Sequence, residues 1–400
     1  RLSLVGSEMC IRDRSNGTLT GIENVSPPVR MFFYPYVQSS INLQKGLGPT
    51  ASYTAGMDLK YGINSSFTLD ASLIPDFGQV AFDNVELNLG PFEQEFSENR
   101  AFFTEGATLF KIADGDMGGG SFFYSRRIGE KVSVSNDLLE NNQQVFNFDE
   151  TPQLLNSIKV TGTTNRNLSI GFLNAITDKV EAEVKNSSSN QKRKQTIQPS
   201  VNYNVISLSQ QLLNDYSSIS LLNTNKTGRD GLYGNNVAFV ADFFDDNRDF
   251  NIKVKAFGSK TPAENSKNGF RSGISFSELK GNFRYNFSWW GVDKHYKQNE
   301  LGYFNYLDHQ SFSSRISYQI LKEYGFLRKY RNYLWFHNTR TFHSSERKLW
   351  GIRFGNDFST QNLMVFEADF AYSSKTRDYD KPRTLDRYIE EPENFQAKLV

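Results

Sequence analysis

From about Leu155 to the C-terminus, short and long connections alternate along this chain. Tight connections are read at residues 164–167, 214–215, 245–248, 278–281 and 359–362. Long polar stretches separate them, at 186–195, 226–235, 259–269, 295–308 and 375–390. An antiparallel sheet with turns on one side and loops on the other is what a membrane-spanning β-barrel requires. A soluble sandwich has no reason to sort its connections in this way.

The segments between these connections alternate with period two. Phe283, Tyr285, Phe287 and Trp289 share one face, opposite Asn282, Arg284, Asn286 and Ser288. Phe250, Ile252, Val254 and Ala256 alternate with Asn251, Lys253 and Lys255. Phe67, Leu69, Ala71 and Leu73 alternate with Thr68, Asp70 and Ser72. Period two gives one apolar and one wet face. Charges inside such runs must meet water in a lumen or be paired there. Many of the runs reach about ten residues, the length a tilted strand needs to cross a bilayer.

A chain of 400 residues can supply about sixteen to eighteen spanning strands with their loops. Mean hydropathy is −0.55 and no apolar run of eighteen residues occurs, which excludes a helical membrane protein. The 34 Phe and 19 Tyr suit an outward apolar band with interfacial girdles. Trp289, Trp290, Trp335 and Trp350, near predicted strand ends, read as interfacial anchors rather than sugar-stacking platforms. A net charge of +1 makes no case for nucleic-acid binding.

Segment 3–14, SLVGSEMCIRDR, resembles translated sequencing-adapter read-through and holds the only cysteine, Cys10. Residues 1–16 are therefore expected to be non-native or disordered. Three further stretches carry a family resemblance: GMDLKYGINSSFTLDASLIPDFGQV at 56–80, LNLGPFEQEFSENRAFFTEGATLF at 87–110 and FFYSRRIG at 122–129. They resemble a family of Gram-negative envelope proteins in which a family-9-like carbohydrate-binding module precedes a long β-barrel domain of unknown function. GIENVSPPVRMFFYPYV at 21–37 is similar to that family's junction, and SIKVTGTTNRNLSIGFLNAIT at 157–177 also fits. The likeness covers nearly everything after Thr18, departing at a local expansion over 113–119. It implies an outer-membrane location, with 17–28 as the linker from an absent module and 29–400 as the barrel domain. It supplies no known reaction. The signal peptide and the closing strands are expected outside this sequence.

Residues 78–119 interrupt the strand pattern with about forty residues, a length that inside a compact domain is usually functional. They carry Glu93, Glu95, Glu98, Arg100 and Glu105, with Arg126 and Arg127 on the strand predicted to follow. Phe92, Phe96, Phe102, Phe103 and Phe110 are interleaved. The segment is expected to fold into the lumen as a plug or constriction, its carboxylates paired with arginines on the wall. The alternative is that such pairs only stiffen the barrel.

Glu93 and Glu95, two apart in an extended segment, are the candidates for a glycoside hydrolase pair. Glu98 and Glu105 would serve as well, so no acid and nucleophile stand out. Asp114–Gly115–Asp116 has alternating carboxylates but lacks the rest of a calcium loop. His295, His309, His337 and His343 show no metal-ligand spacing. No nucleophile elbow, P-loop or dinucleotide fingerprint is present, and no cofactor is expected. The expected protein is an all-β, antiparallel, up-and-down outer-membrane barrel for passive passage, capture or surface presentation of a solute, glycan-related through the family resemblance. Its expected partners are the lipid bilayer, carbohydrate and other envelope proteins. The connection over 130–152 breaks the alternation, being long where parity asks for a turn.

Overall fold

The computed structural model describes residues 30–42, 50–75, 87, 93–112, 119–134, 143–147, 150–186, 192–228, 233–261, 267–379, 381–382 and 387–400. The expected foreign segment, the linker and Asp114–Asp116 lie outside the described residues. In chain order the strands are β1 (Met31–Asn42), β2 (Thr50–Gly62), β3 (Phe67–Leu73), β4 (Gln143–Asn147), β5 (Leu154–Thr163), β6 (Leu168–Thr177) and β7 (Val180–Asn186). They continue as β8 (Lys192–Gln198), β9 (Val201–Gln211), β10 (Ser218–Gly228), β11 (Tyr233–Phe244), β12 (Phe250–Lys260), β13 (Asn268–Glu278) and β14 (Phe283–Val292). The last are β15 (His309–Ile320), β16 (Leu327–Arg340), β17 (Arg347–Thr360), β18 (Val365–Ser373), β19 (Thr376–Asp378), β20 (Ile389–Glu391) and β21 (Asn394–Leu399).

Sixteen of these strands form one sheet, in the order β1-β2-β3-β5-β6-β9-β10-β11-β12-β13-β14-β15-β16-β17-β18-β21. Every ladder in it is antiparallel. The expected all-β, up-and-down architecture is borne out. The sheet is open among the described residues, with β1 and β21 as its edges.

On one side the connections are 63–66, 164–167, 212–217, 245–249, 279–282, 321–326 and 361–364, none longer than six residues. Asn and Asp side chains build several of them by accepting backbone N–H bonds, which replaces the ladder bonds lost at a reversal. Asn64 Oδ1 accepts from Ser66 and Phe67 at 2.8 and 2.9 Å. Asn214 Oδ1 accepts from Tyr216 and Ser217, and Asp245 Oδ1 from Phe250. The opposite side is less uniform than the sequence suggests. β10 and β11 extend so far that only 229–232 join them, and β12 and β13 are joined by 261–267. The polar stretch at 186–195 falls partly inside the β7–β8 hairpin, which with β4 makes a separate three-stranded sheet. The apparent break in parity is also resolved. β3 pairs directly with β5, so 74–153 is a single connection on the long side.

The faces are inverted relative to a soluble protein. Ile206, Leu208, Leu221, Phe239, Ile252, Ile274 and Phe287 are exposed on the outer face, whereas Asp70, Lys159, Asn236, Lys255 and Arg271 are buried on the inner one. Period two dictates this: each outward residue is flanked by two inward ones. Toward the long side the outer apolar band ends in amides. Asn174, Asn204, Asn225 and Asn235 are register neighbours across four strands. Asn174 Nδ2 donates to Asn202 and Asn204 at 2.7 and 2.8 Å.

Inside, the sequence reading of a uniformly polar face holds only in part. Leu173, Tyr203, Val205, Leu222, Ala238 and Phe257 face inward and form an apolar core with Phe103, Phe110, Phe122 and Ile128. That core exists because a segment of chain fills the interior.

Candidate functional site

Residues 93–112 and 119–134 form a plug against the inner face. It contains little regular structure: a short helix α1 (Ala101–Thr104) and 3-10 turns at Ala107–Phe110 and Ser125–Arg127. Arg126 and Arg127 therefore stand on a turn of the plug itself, not on a following strand. Backbone without ladders must find other partners when buried, and Arg100 supplies several. Its Nε and Nη2 donate to both Glu98 oxygens at 2.9 and 2.7 Å. Its Nη1 donates to Ile128 O and its Nη2 to Ser125 O, both at 2.8 Å. The Ser125 hydroxyl donates to Glu98 at 2.6 Å. The guanidinium also lies 4.3 Å from the Phe103 ring centroid. One bidentate pair thus ties the start of the plug to its end. Burial pushes the Glu98 carboxyl up, but the bonds and charge of Arg100 with the Ser125 bond outweigh it, and the pKa lies below the usual 4.5.

The expected pairing of plug carboxylates with wall arginines is corrected by this geometry. Glu98 pairs with Arg100, and Glu93 with Arg127 at 2.6 Å, both within the plug. Two neighbouring arginines cannot reach a distant wall as economically as they reach a chain folded back beside them. Arg127 also meets Glu130 at 3.0 Å, and Arg126 donates to Ser97 O at 2.8 Å. Glu93 and Glu95, the weighed hydrolase pair, engage Arg127 and the Ser121 hydroxyl respectively.

Lysines make the charged contacts to the wall. Lys159 on β5 donates to Phe102 O and Glu105 O at 2.5 and 2.7 Å and lies 3.5 Å from Asp70 on β3. Lys60 on β2 pairs with Glu105. Lys226 on β10 lies 3.1 Å from Glu300 and 3.9 Å from Glu130. These lysines escaped the sequence reading because a single inward charge in a period-two strand looks like any lumenal residue. Gly171 on β6 lets Phe110 approach, since a Cβ there would meet its ring at 2.9 Å.

A second segment closes over the first. Residues 293–308, expected as an external loop, turn inward: Tyr296, Gln298 and Leu301 are almost wholly buried. A β-bridge joins Ser121 to Tyr303, and Tyr124 N donates to Leu301 O at 2.7 Å. Arg271 on β13 sits beneath, 4.2 Å from the centroids of both Phe257 and Phe304. The apolar residues of 296–304 mark this behaviour, since an external loop has no use for them.

The tryptophans divide by strand parity. Trp290 and Trp335 occupy inner-face positions, Trp290 stacking on His309 at 4.6 Å and Trp335 on His337 at 4.4 Å. Trp289 and Trp350 fall on the outer face in register with Ile274 and Asn338. His295 and His343 meet across Asp293, at 3.2 and 3.5 Å. Among the described residues no cluster of three or more such side chains is set to hold a metal, and no helix is long and apolar enough to cross a membrane.

Residues 27–400 match the family described as Domain of unknown function (DUF5916). The chain belongs to this family. The match agrees with the domain of unknown function read from 56–129. Among solved structures the chain is similar to Pseudomonas aeruginosa OpdK, crystallised with vanillate, at 10% identity over 94% of this chain and 89% of that one, with a TM-score of 0.34. It is also similar to Pseudomonas aeruginosa OccK10 (OpdN), at 10% identity over 93% of this chain and 98% of that one, with a TM-score of 0.32. No curated protein matches the sequence.

Proposed function

We propose that this chain is an outer-membrane β-barrel domain for passive uptake or capture of a small solute through a partly plugged lumen. The observation that carries the reading is the inverted sheet, with large apolar side chains exposed on one face and charged ones buried on the other. The apolar face lies against acyl chains and the turn side faces the periplasm. Among the described residues, the plug contacts given above fall on β2–β13 or the 293–308 segment, and β15–β18 supply a further stretch of inner wall. Glu93, Glu95, Glu98, Arg100, Glu105, Arg126 and Arg127 act as the constriction that sets the width of the remaining passage. A polar, narrowed lumen selects by size and charge without chemistry. The resemblance to proteins carrying a carbohydrate-binding module supports a glycan-derived solute.

Charge reversal at the latch tests this. Arg100→Glu should free the plug and raise single-channel conductance in planar bilayers. Unchanged conductance, selectivity and solute passage would leave the plug as a stiffener only.

A further inference from the structure

The inner wall formed by β15, β16 and β17 carries an arrangement that the plug does not use. Cross-strand register places Arg315, Trp335 and Arg353 side by side on three adjacent strands of the inner face. Strands spaced about 4.8 Å apart set the two arginines roughly 10 Å from one another, with the indole between them. Along β16 the same face presents Tyr333, Trp335 and His337 at successive inward positions, a continuous aromatic stripe.

The wall is shaped to hold these rings. Tyr333 is in register with Gly355 and His337 with Gly351, both on β17. A Cβ at Gly355 would collide with the Tyr333 ring, and one at Gly351 with the His337 ring. The two glycines let the rings lie down across the neighbouring strand. Trp335 stacks on His337 with planes 23° apart and has no second ring partner among the described residues.

The charges on this wall are unevenly matched. Arg331 pairs with Asp357 at 2.9 Å, Arg353 with Asp369 at 2.8 Å, and Lys398 with Glu367 at 2.6 Å. Arg315 has no carboxylate within ion-pair distance among the described residues. Its guanidinium lies 4.4 Å from the Tyr333 ring centroid. A guanidinium stacked on a ring points its N–H groups sideways, in the plane where a carboxylate accepts two bonds at once. Rings on the adjacent strand suit a flat or pyranose face.

We infer that Arg315 and the Tyr333–Trp335–His337 stripe form a binding site for a solute that joins a carboxylate to a six-membered ring. The inference rests on the uptake reading and names the class of solute it would take. Such a ligand is either an aromatic acid or an acidic sugar. Both present the same chemistry to the wall, a carboxylate for Arg315 and a ring face for Trp335.

The test uses the full chain refolded into lipid vesicles. Equilibrium binding is measured for benzoate, glucuronate, glucose and acetate, and ion conductance is recorded on the same preparation. Benzoate or glucuronate should bind at least tenfold more tightly than acetate and glucose, and whichever binds identifies the source. Arg315→Gln and Trp335→Ala should each weaken the bound acid at least fivefold. Arg331→Gln, on the same wall but paired with Asp357, should weaken it less than twofold. Equal binding of all four compounds, or an unaltered affinity in Arg315→Gln, overturns the site. Where Trp335→Ala fails to refold, Trp335→Leu replaces it. Vesicles that bind the acid but pass no ions refute the passage reading and leave the site standing. Vesicles that pass ions but bind no acid refute the site alone.

Discussion

Arg100→Met should release the plug without unfolding the sheet. Glu98 and Arg100 are each 14% exposed, so the pair is mostly but not wholly withdrawn from water. The substitution removes both charge-assisted bonds to Glu98 and the donors to Ser125 O and Ile128 O. Glu98 keeps only the Ser125 hydroxyl and the N–H at position 100. Removing one partner of a buried pair costs ~3–5 kcal/mol, and the residual exposure argues for about 3 kcal/mol here. At 1.4 kcal/mol per decade, local opening of the plug should become about 150-fold more frequent. Amide hydrogen exchange in lipid-refolded protein reads this directly. Tyr124 and Ile128, bonded to Leu301 O and Ser125 O, should exchange about 150-fold faster. Amides of β12, held in ladders on both sides, should not change. Glu98→Gln combined with Arg100→Met should be milder than Arg100→Met alone, because the stranded carboxylate is gone. Exchange within threefold of the parent, or a double variant worse than the single, would refute the latch.

Acid should loosen the same latch. The folded pKa of Glu98 lies below 4.5, so the stability it gives is fully present above about pH 4.5 and is lost as pH falls through the depressed folded value. Protection of the plug amides relative to their intrinsic exchange rates, measured from pH 6 downward, should fall only in that lower window, and Glu98→Gln should abolish the fall. Lys159→Met removes the donors to Phe102 O and Glu105 O and strands Asp70. It should destabilise the plug–wall contact by about 3 kcal/mol, seen as faster exchange at Phe103 and Glu105. Ile274→Arg puts a charge on the outer apolar face and should cost ~2–4 kcal/mol in lipid, lowering the yield of the heat-modifiable gel species. Ser313→Lys on the inner face should leave that yield within error; equal loss for both would refute the face assignment.

The plug and the wall illustrate why the two parts of this protein were unequally legible. Alternation along 250–256 and 282–289 needs only a dipeptide repeat to be seen, because side-chain direction in a strand is fixed by its own backbone. The plug was visible as a gap in that repeat, and its charged residues could be named. Their partners could not. Glu98 and Arg100 are two residues apart, yet Ser125 and Ile128 complete their surroundings from well downstream. The inward turn of 293–308 depends on the apolar pocket that Phe122 and Phe257 create.

The sequence alone therefore determined the alternating faces and the run of antiparallel neighbours from β9 to β14, since side-chain direction and short connections are set locally, whereas the pairing of β3 with β5 and of β6 with β9 was decided by the tertiary structure. Tertiary structure decided which charges meet, which loop caps the lumen and which wall stays bare. Those outcomes follow from the register of strands far apart in the chain. A shift of one residue in the register of β5, β15 or β16 would send Lys159, Arg315 or Trp335, respectively, to the opposite face.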